Sequence, residues 1–353
     1  MSDLRLDSHK LIFHPTAVSN WLSGKDIYPI SVEVGLTNLC NHRCTFCAVD
    51  YSDYRGVFLD KDIILKTLET LSKKGTKSVI FSGEGEPFLH KNAAEIITAT
   101  KGFGLDVAVS TNGVLFTKAI AEQCLSSLTW IRFSVSAAAP ELYAKIHRTK
   151  EADFDIALKN IENASKIKKR DKLGTTIGVQ LLLLPENMSH AVPLAKMLKD
   201  IGADYFTVKP YSKHPGSIND SRPDYTQFDS ETKEIEAQLK MLQSDSFKVY
   251  FRSNQLKQLS YDRPYTSCYG LAFMTHIDST GSVIPCIMHF GNASYHFGNL
   301  YENDIETIWE QRHKVVDKIN ETKLKRCREV CRLNEMNLYL NELKNPGGHV
   351  NFV

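Results

Sequence analysis

Three cysteines within eight residues place the strongest constraint on what this chain can fold into. Cys40, Cys44 and Cys47 follow the pattern C-x3-C-x2-C, directly after the apolar segment 30–36, whose β-branched residues predict a buried strand. Thiolates are the usual ligands of iron–sulfur clusters, and three of them can bind one side of a four-iron cubane. One iron then lacks a protein ligand, so the spacing predicts a reactive site rather than a purely structural one.

Two alternatives to a cluster are a structural zinc site and buried thiols that lie together by chance. His42 offers a fourth zinc ligand, but it lies inside the spacer between the first two cysteines. Structural zinc sites usually take their ligands as two separated pairs. Unrelated thiols rarely fall this close together, so the spacing favours an iron–sulfur cluster.

The eight residues, with the aromatic Phe46 directly before the third cysteine, resemble the cluster motif of the radical S-adenosylmethionine (SAM) superfamily. In that family the open iron is chelated by the amino and carboxylate groups of SAM. Reductive cleavage of SAM yields a 5′-deoxyadenosyl radical, which abstracts a hydrogen atom. The resemblance therefore implies a [4Fe–4S] cluster held by three cysteines, with SAM as the second cofactor.

Composition excludes several other classes of protein. The chain of 353 residues has a net charge of +2, which gives no reason to expect a nucleic-acid or membrane surface. It contains no run of roughly 18 apolar residues, as a membrane span needs, and its N-terminus lacks the apolar core of a signal peptide. We therefore expect the eight cysteines in a reducing cytoplasm, where clustered cysteines indicate metal binding rather than disulfides.

Six segments with strand patterns alternate with helical periodicity between residues 30 and 209. Such alternation predicts parallel βαβ units. With the family resemblance, it predicts an α/β fold: a partial (β/α)6 barrel of parallel strands and a small C-terminal α+β auxiliary-cluster domain. The expected divisions are an irregular lead-in at 1–29, the radical SAM barrel at 30–227, and a linker helix with the auxiliary domain at 228–353.

The loop after the second predicted strand, residues 82–87, reads SGEGEP. Unaided, it is an ordinary acidic turn, although glycines permit close approach of a ligand and a carboxylate can hold an ammonium group. Gly85, Glu86 and Pro87 resemble the GGEP motif of radical SAM enzymes, whose glutamate and backbone carbonyls hold the SAM amino group. Glu84 stands where that motif has its first glycine, so the resemblance assigns a role to Glu86 but not to Glu84.

Further polar residues follow the later strands. The segment STNG at 110–113 is similar to the family's TNG segment near the SAM ribose, and Arg148 is similar to an arginine that meets the SAM carboxylate. The resemblance thus implies SAM contacts from Phe46, Gly85, Glu86, Ser110, Asn112, Ser134, Ser136, Arg148 and Gln180. On residue type alone, a strand hydroxyl or a helical arginine is more often structural.

Four more cysteines, Cys268, Cys286, Cys327 and Cys331, occupy the last third of the chain. The first two flank a predicted hairpin that turns at Gly281, and two separated pairs suit either tetrahedral zinc or a four-cysteine cluster. The pattern C-x(9–15)-G-x4-C resembles the SPASM/twitch extension of radical SAM enzymes. Only the closing C-x3-C of a full SPASM domain is present, which implies a single auxiliary [4Fe–4S] cluster.

Two other features have competing interpretations. Cys124 ends a predicted helix; some radical epimerases return a hydrogen atom from a free cysteine, but a buried helical cysteine usually acts as a small apolar residue. The polar segment 210–229 predicts a long loop. Lys209, Tyr211, Lys213 and His214 stand where such a loop either covers the barrel mouth and meets the substrate or is simply solvated.

The resemblances, which span about residues 31–340, imply a radical SAM enzyme that takes hydrogen from a small polar metabolite such as a sugar, cyclitol or nucleoside. The auxiliary cluster would assist oxidation or rearrangement, and a flavodoxin or ferredoxin would supply electrons. One alternative is a maturase that modifies a peptide or protein side chain, which the short segment of 39 residues before Cys40 disfavours, because such enzymes often carry a leader-binding domain there. A second alternative is a non-catalytic iron–sulfur or zinc protein.

Overall fold

The computed structural model describes residues 4–6, 8–51, 54–219, 223–259, 262–322, 324 and 327–352. The strands are β1 (Ser31–Val34), β2 (Ser78–Phe81), β3 (Asp106–Thr111), β4 (Trp130–Ser134), β5 (Thr176–Leu183), β6 (Tyr205–Pro210), β7 (Lys248–Phe251), β8 (Met274–Ile277), β9 (Ser282–Ile284) and β10 (Gly298–Asn299). The α-helices are α1 (Pro15–Leu22), α2 (Lys61–Lys73), α3 (Ala93–Gly102), α4 (Lys118–Cys124), α5 (Pro140–His147), α6 (Ala152–Asp171), α7 (Ala191–Asp200), α8 (Asp229–Met241), α9 (Ser253–Gln258), α10 (Ile305–Gln311), α11 (His313–Glu321) and α12 (Asn334–Lys344).

The described strands form one sheet in the order β10-β9-β8-β1-β2-β3-β4-β5-β6-β7. Each strand from β1 to β6 pairs in parallel with the next, and helices connect most of them, as expected for βαβ units. The predicted α/β class with a parallel sheet is confirmed. The sheet also continues past the six strands predicted for the barrel, because β7 adds a parallel partner to β6.

The C-terminal hairpin joins the same sheet at its other edge. Strand β8 pairs in parallel with β1, and β9 and β10 follow it in antiparallel pairs. The strands after residue 227 therefore extend the sheet of the preceding segment. The domain boundary at this point stays a prediction.

The two faces of the parallel sheet differ in chemistry because successive side chains of a strand point to opposite sides. On one face, aliphatic residues such as Val34, Val109 and Val179 are fully buried against the helices. On the other face stand charged residues, among them Glu33, Arg132 and Lys209. A polar face of this kind suits a cavity that holds water or a polar ligand.

The N-terminal segment differs from the irregular lead-in that was predicted. It contains the helix α1, in which Val18 packs with Ile27, Phe273 and Leu340. This helix is stable because it covers apolar residues that come from distant parts of the chain. Its own short sequence does not predict this tertiary packing.

No helix in the described ranges is both long enough and apolar enough to cross a membrane.

Replacement of Gly178 with alanine should destabilise the fold. A Cβ atom at Gly178 would lie 2.0 Å from Cζ of Tyr205, whereas one at Gly174 would meet nothing within 4 Å. We expect Gly178→Ala to lower the free energy of unfolding by about 1–3 kcal/mol, and the matched Gly174→Ala to change it by about 0.5 kcal/mol or less. Urea unfolding followed by circular dichroism measures both. Equal stability of the two variants would contradict the close packing of Tyr205 on β5.

Candidate active site

The carboxyl ends of β1 to β4 carry the loops that form one cavity. The cysteine loop follows β1, the SGEGEP loop follows β2, and the segment 111–113 lies at the end of β3. Parallel strands present their carboxyl ends at the same edge of a sheet, so these loops meet there. The cavity is lined by many of the predicted site residues: Cys40, Cys44, Phe46, Cys47, Gly85, Glu86, Ser110, Asn112 and Ser134.

Three predicted SAM contacts are not in this lining as the described residues form it. The Ser136 hydroxyl accepts a hydrogen bond from Leu182 N, at 3.3 Å, inside the fold. Arg148 ends α5 in a left-handed conformation and donates to Asn219 Oδ1 at 3.3 Å. Gln180 lies on β5 opposite Ser134. Their roles as SAM contacts stay predictions.

Gly85 is required where two loops touch through their backbones. A Cβ atom at this position would lie 2.3 Å from the carbonyl oxygen of Thr37 and 2.4 Å from that of Leu39. The next residue, Glu86, donates its backbone N–H to the same Leu39 oxygen at 2.9 Å. The SGEGEP loop therefore supports the chain directly before Cys40, and only glycine leaves room for this contact.

Glu86 holds the loops after β2 and β3 together. Its carboxylate accepts hydrogen bonds from the Thr111 hydroxyl at 2.7 Å, from Asn112 N at 2.8 Å and from Phe88 N at 3.2 Å. Burial raises the pKa of Glu86 to about 6, although these hydrogen bonds favour its ionised form. The Asn112 side chain then donates to Asn41 Oδ1 at 2.7 Å, which extends the network into the cysteine loop.

The three thiols of the cysteine loop are buried close to one another. Burial, with the charges of Glu86 and Cys47, raises the pKa of Cys40 to about 12. Burial, with the charges of Cys47 and Cys40, raises the pKa of Cys44 well above its usual value. A metal cation between such thiols stabilises their ionised form, so the donor set fits an iron–sulfur cluster.

His147 is a site residue that the sequence patterns did not predict. Its Nε2 accepts a hydrogen bond from Ser136 N at 3.1 Å, and its Nδ1 lies 3.3 Å from Cys44 Sγ. A backbone N–H can only donate, so the neutral ring carries its proton on Nδ1 and donates it to the sulfur. Burial and the charge of His42 hold the pKa of His147 well below its usual value, which keeps the ring neutral.

The zinc alternative also has a counterpart in the structure. Donor atoms of His42, Cys44 and His147 all lie within 4.8 Å of one another. This set uses one of the three cysteines and leaves the thiols of Cys40 and Cys47 in the cavity without a role. The three-cysteine set accounts for the motif more completely.

Glu84, where the family's motif has glycine, contacts the C-terminal hairpin. Its carboxylate accepts a hydrogen bond from Ser279 N, in the turn between β8 and β9. Burial raises the pKa of Glu84 to about 7, opposed by the bond to Ser279. Glu84, which replaces the glycine of the motif, therefore connects the SGEGEP loop to the C-terminal part of the sheet.

The four later cysteines also come together. Burial and the charges of Cys331 and Cys327 raise the pKa of Cys268 to about 12, and Cys286 is affected by the same thiols. Asn337 Nδ2 donates to Cys268 Sγ at 3.5 Å, and the backbone supplies a further N–H to Cys331 Sγ. Four convergent thiols with N–H donors fit a four-cysteine cluster.

Cys124 lies elsewhere. It is fully buried on α4 among the aliphatic residues between the helices and the sheet, and its thiol donates to Ile120 O at 3.3 Å. This position matches the structural interpretation of Cys124 and is not part of the cavity lining.

Two family models match the chain: the Radical SAM superfamily over residues 34–198 and the SPASM iron–sulfur cluster-binding domain over residues 268–332. The chain therefore contains a Radical SAM domain and a SPASM domain. The two domains bind SAM and [4Fe–4S] clusters, so the cofactors expected from the sequence are confirmed.

Similar proteins include a "Tungsten-containing aldehyde ferredoxin oxidoreductase cofactor-modifying protein" of Pyrococcus furiosus, 24% identical over 297 residues, which are 78% of this chain and 79% of that protein. A "Probable GTP 3′,8-cyclase" of Methanocaldococcus jannaschii is 29% identical over 175 residues; the match covers 49% of this chain and 56% of the relative, little more than half its length. The crystal structure of Streptococcus suis SuiB bound to the precursor peptide SuiA has a TM-score of 0.69 at 17% identity, covering 98% of this chain and 82% of that chain, and shows the shared fold.

Gly85→Ala should disrupt the cysteine loop. The added Cβ meets two backbone oxygens that cannot rotate away, while a Cβ at Gly102 meets nothing within 4 Å. We expect Gly85→Ala to lose about four irons per chain from the first site, and Gly102→Ala to keep them. Iron analysis after anaerobic reconstitution measures this. Full iron content in folded Gly85→Ala would contradict the contact.

Cys327→Ala should remove the auxiliary cluster. We expect it to lose about four irons per chain, because a four-cysteine cluster depends on each thiolate. Cys124→Ala is the matched control, since its thiol faces the aliphatic core and should hold no iron. The comparison uses iron and sulfide analysis of both variants. The prediction fails if Cys327→Ala keeps all its iron.

Proposed function

We propose that this protein is a radical SAM enzyme acting on a small polar metabolite, such as a sugar, cyclitol or nucleoside-like compound, with oxidation or rearrangement assisted by the auxiliary cluster. Cys40, Cys44 and Cys47 would hold a first cluster, which after reduction would supply, with SAM, the radical chemistry for hydrogen abstraction from substrate carbon. The four later cysteines would hold a second cluster, which would offer an acceptor for the electron released when the product is oxidised. Flavodoxin or ferredoxin is the expected class of electron donor, and the cytoplasm the expected location.

The observation that supports this proposal most is the convergence of three thiols and Glu86 on one cavity. A carboxylate can accept about four hydrogen bonds, and the Glu86 carboxylate accepts three from the protein. One position therefore stays available for an ammonium donor such as the amino group of SAM. Binding of that cation would bring the raised pKa of Glu86 down again, so the ionised form is favoured when SAM is present.

The loop after β6 lies against the segment that follows the cysteine motif, which supports a small substrate rather than a peptide. Asp50, just after the cysteine motif, accepts hydrogen bonds from the Ser217 hydroxyl at 2.8 Å and from Asn219 N at 3.0 Å. His214, from the same loop, stacks on Tyr51 with ring centroids 5.3 Å apart. The names of the two curated relatives also refer to small molecules, a cofactor in one and a nucleotide in the other.

The proposal predicts reductive cleavage of SAM. Anaerobic incubation of the reconstituted protein with dithionite and SAM should form 5′-deoxyadenosine, measured by liquid chromatography, and lysate metabolites should increase the amount. Cys44→Ala should form none, because the first cluster loses a ligand, while Cys124→Ala should remain active. Absence of 5′-deoxyadenosine from the wild-type protein under both conditions would contradict the enzyme function.

A further inference from the structure

Five cationic side chains meet on the polar side of the sheet. Arg132 stands on β4 and Lys209 on β6, Arg252 follows β7, and Arg328 and Arg332 come from the C-terminal C-x3-C segment. The charges of all four arginines act on Lys209. Arg132, Lys209, Arg252 and Arg328 are partly buried, and the Nε atoms of Arg132 and Arg328 are buried without a hydrogen-bond partner in the described part of the chain.

Glu33 on β1 is the carboxylate that acts on Arg132 and Arg332. It already accepts hydrogen bonds from Arg332 Nη1 and from the Ser82 hydroxyl, and His276 Nδ1 lies 3.6 Å from its Oε2. Burial opposes its ionisation, but Arg332, His276 and Ser82 together lower the pKa of Glu33 below its ordinary value. Glu33 is therefore ionised and paired with Arg332.

Two of the cations, Arg132 and Lys209, form no ion pair with a carboxylate among the described residues. Among the residues that the structure describes, the Lys209 ammonium has no hydrogen bond or ion pair, and the Arg132 Nε is buried without a hydrogen-bond partner. The closest polar contact of Arg132 is a long hydrogen bond to the Ser110 hydroxyl, at 3.4 Å. Burial, reinforced by the four arginines, lowers the pKa of Lys209 well below its usual value. Buried like charges without an anion are costly, and a bound anion removes that cost.

This cluster adjoins the cavity of the cysteine loop. Ser110, which contacts Arg132, and Ser82, which contacts Glu33, both line that cavity. On the opposite side, Arg328 donates to Ser212 O and is the neighbour of Cys327, while Arg332 is the neighbour of Cys331. The cations therefore lie between the two predicted metal sites.

We propose that Arg132 and Lys209, with the arginines around them, bind an oxyanion group of the substrate, a phosphate or a carboxylate. Arginine and lysine are the side chains that recognise both groups. That the oxyanion belongs to the substrate rests on the proposed function; the anion site itself rests on the charges and contacts of these residues. Fixing the anionic end at this cluster places the remainder of the molecule next to the SAM cavity, where a hydrogen atom can be abstracted.

The test is titration of the reconstituted protein with inorganic phosphate and, separately, with acetate, by isothermal calorimetry at constant ionic strength. We expect saturable binding of at least one anion, weakened about tenfold or more in Lys209→Gln and in Arg132→Gln, because each removes charged hydrogen-bond donors. Arg170→Gln is the matched control: Arg170 pairs with Glu122 on the surface, and its loss should not change the affinity. Tighter phosphate binding indicates a phosphorylated substrate, and tighter acetate binding a carboxylic acid.

Absence of saturable binding to the wild-type protein, or equal affinities in all three variants, would overturn the inference. Iron content and circular dichroism of each variant establish that it is folded, and the two independent substitutions guard against the failure of one. Cleavage of SAM is measured on the same wild-type preparation. An anion site without 5′-deoxyadenosine formation refutes the proposed function alone, whereas SAM cleavage without anion binding refutes this inference alone.

Discussion

The backbone contact at Gly85 is the constraint on which the active site depends. The cysteine loop is too irregular to hold its own shape, and it is supported where Thr37 and Leu39 lie against the SGEGEP loop. The Glu86 carboxylate accepts hydrogen bonds from Thr111 and Asn112 and so connects the SGEGEP loop to the loop after β3. Three loops that come from separate βα units thus form one hydrogen-bonded layer above the sheet, and the thiols are positioned by that layer rather than by local sequence.

The sequence predicted the parallel part of the fold and most of the cavity because both follow from local patterns. Buried strands appear as β-branched apolar runs, and helix starts such as Asp60, which caps α2, have recognisable residues. Cysteine spacing identified the ligands of both metal sites as candidates without any tertiary information. The SGEGEP and STNG segments required the family resemblance, since as isolated turns they have no distinctive chemistry.

What the sequence did not predict depends on contacts between distant residues. The helix α1 is stabilised by Phe273 and Leu340, and His147 becomes a partner of Cys44 only when α5 folds over the cysteine loop. Ser136, whose contact with SAM stays a prediction, also donates its backbone N–H to His147 and accepts a hydrogen bond from β5, and the sequence did not indicate these two contacts. In the same way, the cationic cluster is formed by residues from several strands and from the C-terminal segment, and no single stretch of sequence reveals it.

The pairing of β8 with β1 has a consequence for how the protein is made. Ser31 lies next to Met274, so β1 gains this partner only after synthesis has continued through β2 to β7 and reached β8. Until then β1 is an open sheet edge, with unpaired backbone groups beside the cysteine loop. Such long-range pairing slows folding, and metal loading before synthesis reaches β8 would have to occur on an incomplete sheet. The strand that leads into the first metal site therefore completes its pairing only when the C-terminal region has been made.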